Sequence, residues 1–182
     1  MSRRILSAVL VLLVEGYLYV RYAQLDAEFH FWLHGLLGGA LGMAAVIAVR
    51  LLTSRRRPHG RPAVAPWEAG GAGHLYSAVP DVLFLIFGVL HVLWMDVFAF
   101  HITVHFIPAL LITLLVVFLL SLAAYGLAMS GRVRLAVASL AASAVACTAA
   151  LSVAAPIPTD IEDLRAHARP PTHRPVSVHP GG

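Results

Sequence analysis

Histidines dominate the residues of this sequence that could do chemistry. The chain contains ten His in 182 residues, and the spacing HxxxH occurs twice, joining His30 to His34 and His101 to His105. Residues four apart on a helix share one face, so each pair can direct two imidazoles towards one point. Imidazole is the commonest metal ligand in proteins and suits Zn, Cu, Fe and Ni. The spacing therefore predicts a metal site.

Carboxylates and one further histidine accompany these pairs. We predict that the metal ligands come from six residues: His34, His91, Asp96, His105, His30 and His101. Glu15 and Tyr19 would hold a proton or orient the ligands, since carboxylates commonly orient a ligating imidazole. An acid inside an apolar span costs about 2.5–3.5 kcal/mol on insertion scales, which makes Glu15 a candidate functional residue by default.

A haem group is the alternative occupant of this site. Haem b held by two imidazoles needs His on facing helices, and His34 or His105 opposite His91 would serve. Space for the porphyrin would come from three glycines of the second span, Gly35, Gly38 and Gly39. The predicted cofactor is thus a transition metal (Cu, Fe or Zn) or haem b.

Other kinds of catalytic site find no support in the sequence. There is no GxSxG, no GxxxxGK[ST] and no HExxH motif. The HxxxH boxes resemble those of membrane di-iron desaturases, but an HxxHH box is missing and the boxes face outward, so we exclude that family. Cys147 is the single cysteine, which excludes an internal disulfide and any CxxC metal site.

The elements that must position these residues are membrane helices. Hydrophobic residues make up 59% of the chain, charged residues only 12%, and the mean hydropathy is +0.82, whereas soluble domains carry about 25% charge. A spanning helix needs about 20 mostly apolar residues, and five segments qualify: residues 5–20, 29–52, 79–100, 105–129 and 133–155. The sequence therefore predicts an all-α polytopic membrane protein whose residues 1–155 form a five-transmembrane-helix bundle.

The arginines predict the orientation of this bundle. Nine Arg fall on one side of the five spans: Arg3, Arg4, Arg50, Arg55, Arg56, Arg57, Arg61, Arg132 and Arg134. The other side holds four, Arg21, Arg165, Arg169 and Arg174. Because cytoplasmic loops carry the excess of Arg and Lys, we expect a cytoplasmic N-terminus and an extracytoplasmic C-terminus in the plasma (inner) membrane of a bacterium.

Two segments outside the spans are predicted to be irregular. Residues 53–77 are rich in Pro, Gly and Arg, and we interpret them as a basic cytoplasmic loop that contacts lipid head groups rather than nucleic acid. Residues 156–182 hold six Pro and are predicted to form a disordered extracytoplasmic tail. With this orientation the HxxxH pairs, Glu15 and Asp96 share the outer half of the membrane, whereas Asp81 lies in the inner half.

Small residues predict how the helices pack. Two overlapping GxxxG pairs occur in residues 29–52, and Ala and Ser fill residues 133–155. Such faces let helix backbones approach closely. We therefore expect the lipid bilayer as one partner and a membrane-protein partner or a second copy of this chain as another.

Three function classes remain open from the sequence. The first is an oxidoreductase, or a subunit of a membrane redox complex, with its metal or haem in the outer leaflet. The second is a small transporter coupled to protons or ions, in which Glu15, His91 and Asp96 relay protons or an ion. The third is a non-catalytic membrane subunit. Whether the chain is an enzyme is not decided by any motif.

Overall fold

Helices are the only regular secondary structure in the described part of the chain. The computed structural model describes residues 2–53, 64–87, 93–107 and 110–153. Its α-helices follow in chain order: α1 (Arg3–Ala23), α2 (Glu28–Thr53), α3 (Pro66–Ser77), α4 (Val79–Phe87), α5 (Leu110–Met129) and α6 (Val133–Ser152). Two short 3₁₀ helices, Leu93–Val97 and Thr103–Phe106, lie between α4 and α5. The predicted tail, residues 156–182, lies outside the described residues.

Four of the described helices are long and apolar enough to cross a membrane. They are α1, α2, α5 and α6, with mean hydropathies from 1.6 to 2.6. The shortest of them, with 20 residues, reaches about 30 Å at 1.5 Å per residue, which matches the hydrocarbon thickness of a bilayer. The prediction of an apolar, all-α membrane protein is confirmed at this level.

The prediction of an irregular loop over residues 53–77 is wrong for the second half of this segment. Residues Pro66–Ser77 form α3, for which the sequence provides a good start. Pro66 occupies the first turn, where its missing N–H costs nothing, and the Glu68 Oε2 atom accepts a hydrogen bond from the Ala65 backbone N–H at 2.8 Å. The glycines that suggested a loop instead form a close helix contact.

The predicted span of residues 79–100 also differs from the structure. Helical hydrogen bonds continue from α3 into α4, since the Val82 N–H donates to the Ala78 carbonyl at 3.1 Å. Pro80 lacks an N–H and interrupts the ladder at this point. Residues 66–87 therefore form one interrupted helical segment about 33 Å long. Beyond residues 88–92, which are not described, the chain turns through the 3₁₀ helices.

The glycine face of α2 packs against α3 in antiparallel order. Gly42 of α2 lies against Ala69, and Gly38 lies against Gly73 and Ser77. A Cβ atom at Gly73 would overlap the carbonyl of Gly38 and lie 2.9 Å from the backbone nitrogen of Gly42. Only glycine permits this separation, so the GxxxG pattern serves a contact within the chain.

Polar contacts hold α1 parallel to the segment of α3 and α4. The indole N–H of Trp67 donates to the Ser7 hydroxyl at 3.2 Å near one end, and Tyr22 of α1 meets Asp81 of α4 near the other. α1 is otherwise mostly exposed: Tyr22 alone among its residues is buried. Its exposed leucines and valines suit contact with lipid.

Two apolar clusters show that α5 runs parallel to α2 and that α6 returns. One cluster joins the first half of α2 to the start of α5, through Leu33, Leu37, Leu110 and Leu114. The other joins the second half of α2 to the end of α5 and the start of α6. We call the end that carries the starts of α1 and α6 the arginine end, because Arg3, Arg4, Arg50, Arg132 and Arg134 gather there. The opposite end is called the histidine end.

Asp96 shapes the turn at the histidine end. One of its carboxylate oxygens accepts from the backbone N–H groups of Ile102 and Thr103 at 2.6 and 3.0 Å, and the other accepts from the Thr103 hydroxyl. Ala99 and Phe100 have φ of 59° and 56°, which is unfavourable for residues other than glycine. The carboxylate bonds stabilise this strained backbone, which places His101 inside the bundle.

Candidate metal centre

Three side chains from three different elements converge at the histidine end. His34 comes from α2, Asp81 from α4, and His101 from the turn before the second 3₁₀ helix. The His34 Nε2 and Asp81 Oδ2 atoms are 3.4 Å apart, and so are the His101 Nε2 and Asp81 Oδ1 atoms. His34 is 0% exposed, His101 1% and Asp81 9%. Each carboxylate oxygen thus faces one imidazole nitrogen, away from water.

The separations suit a single metal ion. One ligand atom from each of the three side chains lies within 4.8 Å of the others. Ligands bound tetrahedrally at about 2.1 Å are about 3.4 Å from one another, which equals both nitrogen–oxygen distances in this group. These three residues could therefore hold an ion after small movements of the side chains.

Ser77 directs both imidazoles towards the carboxylate. The His101 Nδ1 atom lies 3.3 Å from the Ser77 carbonyl oxygen, and the His34 Nδ1 atom lies 3.0 Å from the Ser77 hydroxyl. A carbonyl oxygen only accepts, so Nδ1 of His101 carries the hydrogen in this bond, and Nε2 is the ring nitrogen that faces Asp81. A cation between Nε2 and the carboxylate, either a proton or a metal ion, stabilises this arrangement.

Tyr22 provides a second contact to the carboxylate. Its hydroxyl donates to the Asp81 Oδ2 atom at 2.5 Å, and the Tyr22 ring is buried. A hydrogen bond to a ligating carboxylate fixes its orientation. Tyr22 lies on α1, so this bond also ties the outermost helix to the site.

Two further imidazoles lie beside the group. The ring centroids of His30 and His105 are 4.8 Å apart, and His105 is 6.1 Å from His34 and 6.2 Å from His101. His34 and His101 are themselves stacked, with centroids 4.4 Å apart and planes 7° from parallel. The structure thus brings together four of the predicted histidine ligands.

The structure places the other predicted residues elsewhere. Asp96 uses both carboxylate oxygens in the turn described above. Tyr19 contacts Phe31 and Trp32 through ring edges. Glu15 reaches His74 of α3, with its Oε2 atom 2.6 Å from Nδ1. His91 lies outside the described residues.

Neighbouring helices fill the space beside the three glycines that were predicted to admit a porphyrin. A Cβ atom at Gly38 would lie 2.8 Å from the Ser77 Cβ, and one at Gly39 would lie 3.0 Å from the Phe118 ring. Gly35 faces the His74 ring, 3.5 Å from where its Cβ would stand. These three glycines therefore provide no space for a porphyrin. His91, the predicted second imidazole of a haem, lies outside the described residues.

Sequence reasoning missed the carboxylate of the site because it began the third span too late. With α3 included, Asp81 lies 15 residues from Pro66, about 22 Å along the segment, at the histidine end rather than in the inner half. The available signal was the spacing of His74, Ser77 and Asp81, which places three polar residues on one helix face at i, i+3 and i+7.

Comparison with known proteins adds no relative. No protein-family model, curated protein or solved structure matches the chain.

Proposed function

We propose that this chain is an integral membrane protein that binds one first-row transition-metal ion through His34, Asp81 and His101. The observation that carries the proposal is the convergence of two buried Nε2 atoms on one carboxylate. Two His and one carboxylate with open positions suit Fe²⁺, and a similar set with a bound water suits Zn²⁺. Burial of three ionisable side chains in an apolar bundle is costly unless a cation compensates for it.

The identity of the ion separates the possible activities. A redox-active ion, Fe or Cu, supports a role as an oxidoreductase or as a subunit of a redox complex. Zn²⁺ supports Lewis-acid chemistry or transport of the ion itself. Elemental analysis of the purified protein decides between these activities.

The experiment measures metal affinity in the full-length protein, purified in detergent without a polyhistidine tag. His167, His173 and His179 of the tail are replaced by Gln, so that they cannot capture metal. We expect one ion per chain in this background. Asp81→Asn and His101→Gln should each weaken binding at least about 100-fold, since loss of residues that only orient ligands already costs about 10–100-fold. Tyr22→Phe should fall within that smaller range.

Asp26→Asn provides the matched control. It makes the same carboxylate-to-amide change at the same end of the bundle, in an exposed turn where φ of 52° suits Asn. Its metal affinity should equal that of the background protein, and circular dichroism should show equal helicity in all variants. A background protein that retains neither Fe, Zn nor Cu after loading with each would falsify the proposal.

A second candidate function, proton-coupled transport of a cation, is favoured by the pair of Glu15 and His74. His74 is 3% exposed, and its Nε2 atom has no hydrogen-bond partner among the described residues. Glu15 lies midway along α1, where a bilayer is driest. Ionisable residues at such a depth mark ion and proton pathways. In this conformation the contact between Gly38 and Gly73 closes the way towards the arginine end, so transport requires a second conformation.

A further inference from the structure

The two outer histidines, His30 and His105, form a pair of their own beside the candidate metal centre. Their rings are 4.8 Å apart, closer to each other than either is to His34, at 6.4 and 6.1 Å. Both are partly exposed, whereas His34 and His101 are nearly inaccessible. His30 lies one helical turn nearer the start of α2 than His34, about 6 Å along the axis. The outer pair therefore lies between solvent and the buried group.

The opposite approach to the buried group is closed. Below His34, the backbone of α2 contacts α3 at Gly38 and Gly73 and again at Gly42 and Ala69. Leu33 and Leu37 fill the side towards α5 and are 0% and 3% exposed. A hydrated cation cannot cross either contact, which favours an approach from the histidine end, where the outer pair lies.

The outer pair contains an imidazole nitrogen that can bind an ion. The Nδ1 atom of His30 is buried and has no hydrogen-bond partner within the described part of the chain. Burial of an unpaired polar nitrogen is unfavourable, and a ligand relieves the cost. Two protein ligands bind an ion more weakly than three, so an ion held by the outer pair is readily passed inward.

We infer that His30 and His105 form a loading site, which accepts a hydrated divalent transition-metal ion and passes it to His34, Asp81 and His101. This inference rests on the proposed metal-binding function. A loading site accelerates both arrival and departure of the ion, because it lowers one barrier that both directions cross. It leaves the equilibrium affinity of the buried group unchanged.

The test follows the binding of Co²⁺ to the full-length protein by stopped-flow absorption, in the background that lacks the tail histidines. In the double variant His30→Gln and His105→Gln we expect association and dissociation both to slow about tenfold, equivalent to about 1.4 kcal/mol in the barrier. The dissociation constant, measured at equilibrium, should stay within about twofold, well below the 1.4 kcal/mol that a tenfold change represents. Asp26→Asn, at the same end, should change neither rate.

The outcomes separate this inference from the proposed function. Unchanged rates in the double variant would overturn the loading site and leave the metal centre intact. A large loss of equilibrium affinity would also overturn it, because His30 and His105 would then be ligands of the buried ion. Failure of the background protein to bind Co²⁺, Zn²⁺ or Fe²⁺ would instead remove the proposed function.

Discussion

Asp81 and Glu15 are acids that the described bundle places against histidine, and their surroundings differ in a way that predicts different roles. Asp81 faces two imidazoles and a tyrosine hydroxyl and keeps 12% of its side-chain surface exposed. Glu15 faces the single imidazole of His74 and keeps 24% of its side-chain surface exposed. Two imidazoles and a tyrosine hydroxyl held around one carboxylate favour a stationary ion, whereas one carboxylate paired with one imidazole favours the exchange of a proton.

The Glu15 pair gives a prediction about coupled transport. In vesicles that contain the full-length protein, a gradient of Zn²⁺ should drive proton movement, measured with a pH-sensitive dye inside the vesicles. The proposed transport uses Glu15 to exchange a proton with His74, so in Glu15→Gln we expect the proton flux to fall at least about tenfold, as for loss of a proton-transfer group. Glu15→Asp should restore part of it.

Glu68→Gln is the control for this measurement. Glu68 is partly exposed at the start of α3, at the arginine end, and its carboxylate bonds to the Ala65 backbone N–H and to Ser7 of α1, away from His74. An equal proton flux in Glu15→Gln and in the unmodified protein would reject the transport function. The metal affinity of Glu15→Gln should equal that of the unmodified protein, which separates this test from the test of the metal centre.

At the scale of elements, α3 determines whether the site exists. Its glycines let the segment approach α2 closely enough for Ser77 to contact His34, and the same segment carries Asp81. Long apolar runs predicted α1, α2, α5 and α6, because such runs have little alternative to a spanning helix. They could not predict α3, because its Gly, Pro and Trp lower both the hydropathy and the intrinsic helix propensity. The contact with α2 compensates for this low propensity.

The histidine spacing predicted part of the site for a related reason. His34 and His101 were both among the predicted ligands, and they do meet. Asp81 and His74 were not, because their depth depends on where α3 begins. Which of these residues meet across different helices therefore depends on where α3 begins, and the apolar pattern does not mark that boundary.

The close approach of α2 and α3 gives a prediction about stability. Gly73→Ala adds a Cβ that overlaps the Gly38 carbonyl, so we expect it to destabilise the protein by about 1–3 kcal/mol, as overpacking does. Gly70→Ala, in the same helix, meets nothing within 4 Å and should stabilise the helix by up to about 1 kcal/mol. The free energy of unfolding is measured by denaturant titration in detergent. Equal stability of the two variants would contradict the contact.

For the whole molecule, the ends of the bundle differ in charge. The arginine end carries Arg3, Arg4, Arg50, Arg132 and Arg134 on helix ends that the structure describes, and Arg50 also contacts the Met129 sulfur at 2.7 Å. The histidine end carries Arg21 together with Asp26 and Glu28. The positive-inside rule predicts that the arginine end faces the cytoplasm. We therefore expect the candidate metal centre to open towards the extracytoplasmic side.

The number of crossings follows from the interrupted segment of α3 and α4. Neither helix is long enough alone, but residues 66–87 together run the length of a bilayer, antiparallel to α2. Because α5 runs parallel to α2, the chain has to return from one end of the bundle to the other between them. We therefore expect this segment to provide a fifth crossing, which leaves the termini on opposite sides of the membrane.

Labelling of single cysteines tests the expected topology, with the two termini on opposite sides of the membrane. In a Cys147→Ala background, Ser2→Cys and Ser177→Cys are treated with a membrane-impermeant maleimide in bacterial spheroplasts. We expect Ser177→Cys to react in intact spheroplasts and Ser2→Cys to react only after lysis. Ser130→Cys, in the exposed turn between α5 and α6 at the arginine end, should behave like Ser2→Cys because the same end carries both. Labelling of both termini from one side would contradict the five-crossing topology and the parallel packing of α2 and α5, and the extracytoplasmic opening of the metal centre would have to be abandoned with it.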